Sequence, residues 1–377
     1  MMLFSSAEKE RRFLAARELL DAEDLHALIV IGDGTVGPGL NGDFRFFTNN
    51  RITFHRQVFI YLPSAEAILL AGSDIAVKTA RARSFVKDCR VSSDLCGDII
   101  NILKEKGMVE GRVGVNYEML STEWYLRLRK EFSEIIWVET HPQILEIRNR
   151  RSNEEVDVLR KCAELADRAF SAAVEVIKPG VTEHEIAAAI EYAACKDGAE
   201  ENFTLIASGK FDDQEQFYLS VPTSRKIEKG DSVAMEISPR YGGYWTQVVR
   251  TVNVGENNNR EMIKMHEVCK STIRAGLKLL KPGSTLSAVL QAMYDYVEGT
   301  DFNLIQPVGH NCGLDLDEAK LTSDNKTILT PGTAIAVHPS ICTADGKVMF
   351  YWGETYLVTE NGNERLIAST DELLTVN

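Results

Sequence analysis

A five-residue phrase, Lys178-Pro179-Gly180-Val181-Thr182, returns 103 residues later as Lys281-Pro282-Gly283-Ser284-Thr285. A second phrase, Gly230-Asp231-Ser232-Val233-Ala234-Met235-Glu236, has a counterpart 102 residues later in Gly332-Thr333-Ala334-Ile335-Ala336-Val337-His338. Each Lys-Pro-Gly follows one helix-like run and precedes another. Each member of the second pair opens a strand-like run. Two independent pieces at nearly one offset predict a duplicated helix–helix–strand half. The period is too long for a solenoid, whose units run roughly 20–50 residues. A duplication of this kind places Glu236 and His338 on related strands facing one pocket.

The flanking texture agrees with that reading. Val156, Leu159, Cys162, Ala163, Ala166, Phe170, Ala173 and Ile177 recur at helical spacing. Thr182 and Glu185 form a capping box at the next helix. Ahead of residue 150, short apolar runs such as Ala27 to Ile31, Val58 to Leu62 and Val113 to Val115 alternate with helical patterns. That alternation indicates an α/β domain. The polar stretch Arg148 to Asn153 reads as a linker in which Ser152 or Asn153 caps a helix. With 377 residues, 44% of them hydrophobic, the chain divides into domains 1–150 and 151–377.

The net charge of -13 argues against a nucleic-acid partner, which needs a concentrated basic face. The seven cysteines form no CxxC pair, so a reducing compartment is expected. The start lacks the pattern of a signal peptide, and no apolar run approaches the roughly 20 residues of a membrane span. The reading is a cytoplasmic protein with a small-molecule substrate and no membrane partner.

Four segments carry candidate chemistry. Glu236 and Gln247 flank a Gly242-Gly243 hairpin signal, so their side chains can share a face. His310 lies in the glycine-flanked segment Gly309 to Gly313, where backbone can approach a ligand. His338 precedes Pro339, which ends its strand. Glu354 sits among aromatic and β-branched residues, where a carboxylate needs a partner.

Together these segments resemble the creatinase and methionine/Xaa-Pro aminopeptidase superfamily, the M24 or pita-bread group. The pattern Asp-x-Gly-x4-Gly-Tyr-x2-Asp-x2-Arg-Thr matches Glu236 through Thr251 without gaps. Gly-His-Gly-x-Gly-Leu-Asp-x-His-Glu matches Gly309 to Glu318, and Glu-Pro-Gly matches His338 to Ser340. Phe46-Phe47-Thr48, followed by a strand at Val58, resembles the creatinase amino-terminal domain. The resemblance implies an α+β chain: an N-terminal α/β creatinase-like domain, then a pita-bread domain with an internally duplicated αβ unit. It also implies a homodimer in which Arg51, His55 or Arg56 reaches the partner's pocket to hold a substrate carboxylate.

The departures from the pattern shape the functional expectation. Peptidases of this group bind two divalent ions through two Asp, one His and two Glu. Here those places fall on Glu236, Gln247, His310, His338 and Gly353, with Glu354 one position beyond. The second His of the motif is Asp317, and the upstream His falls on Leu219. Two hard ions want oxygen ligands and negative charge. The sequence therefore predicts a site without a metal cofactor. The alternative is one divalent ion on His310, His338 and Glu236 or Glu354.

The expected enzyme is a creatinase-like hydrolase acting on a small amino- or amidino-carboxylate by His/Glu acid–base chemistry, with a lyase step also open. His310, His338, Glu236, Glu354 and Gln247 are its candidate catalytic residues. Asp317, Tyr244 and Trp352 join the three N-terminal residues as candidate substrate contacts. The alternatives are a mononuclear metal-dependent M24 enzyme and a non-catalytic ligand-binding protein. A proline peptidase is disfavoured.

Overall fold

The structure, a computed structural model, describes residues 3–37, 39–63, 66–212, 217–255 and 259–377. The chain forms two compact units, Met1–Arg148 and Asn149–Asn377. In the first, helices α1 (Ser6–Ala22), α2 (Gly42–Thr48), α3 (Asp74–Arg83), α4 (Leu95–Glu105), α5 (Thr122–Glu131) and α6 (His141–Asn149) accompany six strands. The strands are β1 (Ala27–Asp33), β2 (Arg56–Tyr61), β3 (Ile68–Ala71), β4 (Asp88–Val91), β5 (Glu110–Val115) and β6 (Glu134–Glu139). They form one mixed sheet in the order β4-β3-β2-β1-β5-β6. Ile29, Ile31, Val58, Ile60, Ile99 and Leu103 lie in its core.

Helix α2 was not legible as a helix because it is buried on every side, polar Asp43 and Arg45 included. A helix without an exposed face shows no apolar period. Helix α6 runs into the stretch that the sequence reads as a linker, and Ser152 then caps the next helix in a full capping box with Glu155.

The second unit begins with α7 (Asn153–Val176) and α8 (Glu183–Lys196), then β7 (Glu201–Gly209), β8 (Ser232–Tyr241), β9 (Tyr244–Trp245) and β10 (Val248–Val254). Next come α9 (Arg260–Leu277) and α10 (Leu286–Val297). The remaining strands are β11 (Phe302–Ile305), β12 (Gly309–Asn311), β13 (Ala319–Lys320), β14 (Ala334–Val337), β15 (Ser340–Thr343) and β16 (Met349–Tyr351). β17 (Gly353–Thr359), β18 (Gly362–Arg365) and β19 (Leu374–Val376) complete the chain. The main sheet runs β13-β12-β14-β17-β10-β8-β7, and β11-β15-β16 form a smaller sheet.

The repeat read from the sequence is present bond for bond. Thr182 caps α8 and Thr285 caps α10, each by accepting an N–H three residues on. Gly180 N–H donates to Ile227 O at 2.8 Å, and Gly283 N–H to Leu329 O at 3.0 Å. Gly230 N–H donates to Val254 O at 2.7 Å, and Gly332 N–H to Val358 O at 2.8 Å. Both of those glycines have positive φ, 83° and 91°, which a side chain would strain. Each helix pair has its own core: α7 and α8 pack with Met235, Ile237 and Val248, while α9 and α10 pack with Ala234, Val249 and Ile335.

Candidate active site

Strand pairing lays the candidate residues in two rows. In antiparallel strands, directly opposed residues point to the same face, and so do residues two apart. The first row runs from His310 to Ala336 to Thr355. Thr355 Oγ1 then accepts the Gln247 N–H at 2.8 Å and donates to Gln247 O at 3.0 Å. The second row runs from Leu205 to Glu236, Val249 and Gly353. His338 follows the end of β14, and its N–H donates to Val308 O at 2.9 Å. The His310 and His338 rings lie 5.1 Å apart, edge to face at 63°. Glu236, Val249 and His338 line a cavity of about 290 Å³ whose other walls include Leu219, Tyr218, Tyr351 and Trp352.

Burial sets the protonation states. With nothing to compensate desolvation, the Glu236 carboxyl is pushed up to about 7. His338, enclosed except towards the cavity, is pushed down to about 3 by burial and by the neighbouring His310. His310 is lowered as well; burial outweighs the opposing charge of Asp317. Both imidazoles are therefore neutral near pH 7. His338 Nε2 and both side-chain polar atoms of Gln247 are buried without a hydrogen-bond partner. Unpaired buried groups of this kind are rare and costly, and they mark this face as built to receive a polar ligand.

One consequence is measurable on metal-free protein. The folded carboxyl of Glu236 holds its proton up to about pH 7, whereas the ordinary value is 4.5. Its contribution to stability is complete below pH 4.5 and is lost as pH rises through 7. Glu236→Gln removes that loss. The variant is expected to match the parent at pH 4 and to exceed it at pH 8 by about 3 kcal/mol in urea unfolding. An advantage that fails to grow between those pH values would contradict the assignment.

Glu354 does not join the site. It pairs with Val248 and Val337, on the face opposite Glu236. Its carboxylate accepts Arg365 Nε at 2.6 Å, Arg365 Nη2 at 2.8 Å and the Tyr356 hydroxyl at 2.6 Å, and it pairs with Arg250. The strand's alternation turns it away, and the partner it needed is an arginine pair. Tyr244 is corrected too: it is buried, with its hydroxyl on Glu155, and does not line the cavity. Asp317 pairs with Lys320 at 3.4 Å, does not line the cavity, and acts on His310 through its charge. Trp352 does line the cavity, beneath the Arg250 guanidinium at 4.5 Å.

In the N-terminal unit, Arg56 donates to Asp33 at 2.9 Å and lies 5.4 Å over Trp124. His55 is exposed at φ 56°, and Arg51 is half-buried. Thr355 and Ser238 were missed by sequence reasoning. Ser238 stands two residues beyond Glu236 on β8, with its hydroxyl unpartnered. The period-two spacing from Glu236 was the available signal; Thr355 read only as a β-branched strand residue.

The five-ligand, two-ion pattern does not fit these residues. Among the described residues, one carboxylate, Glu236, lies on the cavity face, Glu354 is committed elsewhere and Gly353 offers no donor. Among the described residues, no three His, Cys, Asp or Glu side chains gather as they would around an ion. A single ion fits the donor types better. The neutral imidazoles of His310 and His338 would hold it, with the unpartnered Gln247 amide as third donor.

Residues 157–360 match the profile of Metallopeptidase family M24, and residues 12–150 that of the Creatinase/Prolidase N-terminal domain. The chain is 30% identical over 285 residues to Xaa-Pro dipeptidase of Pyrococcus furiosus, covering 74% of this chain and 78% of that one. It is 27% identical over 289 residues to creatinase of a Bacillus species, covering 70% and 68%. The crystal structure of X-Pro aminopeptidase from Thermotoga maritima superposes with a TM-score of 0.83 at 20% identity, over 96% of this chain and 99% of that one. Prolidase from Pyrococcus horikoshii superposes at 0.81 with 22% identity, over 98% and 100%.

Two expectations are thereby corrected. A proline peptidase is not disfavoured, because Xaa-Pro dipeptidases are among the chain's relatives. The expectation of no metal cofactor is overturned by the match to a metallopeptidase family. The altered ligand positions misled both readings, since they bear on how many ions the site can hold. The chain belongs to the M24 metallopeptidase family, with an N-terminal creatinase-like domain ahead of a pita-bread domain.

Proposed function

We propose that the chain is a metal-dependent hydrolase that cleaves the C–N bond of a small proline-type amide, working with one divalent ion. The observation that carries this reading is the grouping beside an apolar cavity. Two neutral imidazoles, an unpartnered amide and a carboxyl poised near neutrality stand on one face of the main sheet. Its relatives named as Xaa-Pro dipeptidases supply the substrate class.

When bound, the ion would supply Lewis-acid polarisation of the scissile carbonyl. Glu236, with its value near 7, is suited to take a proton from an attacking water and return it to the leaving nitrogen. Leu219, Tyr351 and Trp352 form an apolar wall that would seat a ring and exclude water. A nitrogen-rich donor set favours zinc, nickel or iron over manganese or magnesium.

The test is protein purified without added metal, then supplied with one metal at a time. Ala-Pro, Leu-Pro, Ala-Ala and creatine are the substrates. Proline release is expected to require metal, to stop with chelator and to exceed Ala-Ala turnover by at least about tenfold. Undiminished activity in chelator would overturn the metal-dependent reading. Creatine turnover without proline release would overturn the substrate class.

A further inference from the structure

We infer that position 353 is closed to any side chain, so that this site takes no second metal ion. The inference bears on the same site as the single-ion reading above, but it stands on the main chain rather than on the donors. Position 353 is where the resemblance places the last carboxylate ligand, and it is a glycine. A Cβ built there would lie 2.3 Å from His338 Cα, 2.4 Å from His338 Cβ and 2.4 Å from Val337 O. Those distances are far inside van der Waals contact, and two of the three atoms are main chain. A flexible side chain could swing aside, but a strand cannot.

The strand that would have to move is enclosed. β14 is held between β12 and β17, with Gly309, His310 and Asn311 paired on one side and Thr355, Tyr356 and Leu357 on the other. Retreat from residue 353 would press β14 into β12 and displace His310, which is itself a donor. The neighbouring carboxylate cannot substitute, because Glu354 faces the other way into Arg250 and Arg365. Loss of the second ion is therefore fixed by backbone packing as well as by residue type. Returning carboxylates at the two polar places does not reopen it.

Metal stoichiometry by native mass spectrometry and melting temperature together test this. Wild-type protein titrated with zinc or manganese is expected to stop at one equivalent or fewer. Gln247→Asp/His338→Glu, which returns two acids, is expected to stop there too. Gly353→Ala is expected to lower the melting temperature by about 5–10 °C, as overpacking against main chain does. Two equivalents on the wild type or the double variant would overturn the inference. So would a Gly353→Ala protein that melts with the parent. If Gly353→Ala fails to fold, the stoichiometry of the other two proteins still decides. Zero equivalents on the wild type would uphold the exclusion of a second ion and sink the single-ion function, so the two failures are separable.

Discussion

Glu354→Ala is expected to lower the free energy of unfolding by about 3–5 kcal/mol, the usual cost of orphaning a buried charge. The Arg250 side chain is 1% exposed and would lose the carboxylate that balances it. Arg365 and the Tyr356 hydroxyl would lose the same partner. Urea unfolding midpoints measure the effect, and a loss below about 1 kcal/mol would show the network to be dispensable. The pH dependence gives a second check. Burial raises the Glu354 value, but Arg365 hydrogen bonds and the Arg250 charge more than offset it, so the folded value lies below the ordinary 4.5. The contribution is then present above pH 4.5 and is lost as pH falls through the lower folded value. Glu354→Gln should therefore respond less to acid than the parent. Because Arg250 covers Trp352, the Ala variant should also bind substrate more weakly through a loosened cavity wall.

His338→Ala and His310→Ala are expected to reduce proline release by about 10²–10⁴-fold, the range for removing a group that handles a proton or orients the reacting centre. Each should also lower metal occupancy, since the imidazoles are the neutral nitrogen donors of the site. Initial rates and metal content measured on the same preparation check both. Retention of more than a tenth of parental activity by either variant would remove that residue from the machinery. The outcome separates an enzyme from a binding protein, because a pocket that only holds a ligand has no rate to lose.

The fold was legible because duplication leaves an unusually literal trace. The two Lys-Pro-Gly turns, their threonine caps and the glycines that open β8 and β14 are all short-range chemistry, and each reappears at its offset. Glu236 and His338 were legible for a related reason, since they end the two copies of the repeated strand phrase, while His310 and Gln247 were legible from the glycine-flanked segment and the hairpin signal. Glu354 was not. Its position in the sequence is one residue from a ligand place, and a one-residue step along a strand reverses the face. Only the arginines that meet it, one of them distant in sequence, reveal which face that is. Tyr244 misled similarly: an aromatic beside a glycine turn looks accessible until a glutamate 89 residues away claims its hydroxyl. The apolar cavity was the least legible part, because Leu219 and the adjacent pair Tyr351 and Trp352 lie far apart in sequence and share no period.

The row joining Glu236, Val249 and Gly353, with His338 beyond, has chemically unlike ends. Glu236 and His338 occupy equivalent places in the two halves, 102 residues apart. A single half pairing with its own copy would carry one residue type at both ends of that row, as any two-fold interface must. Fusion into one chain lifts that requirement. The two ends can then differ, and here one is an acid that keeps its proton to neutrality and the other a base that refuses one. Places equivalent by sequence are thus complementary in chemistry, one holding a proton to neutrality and the other shedding it.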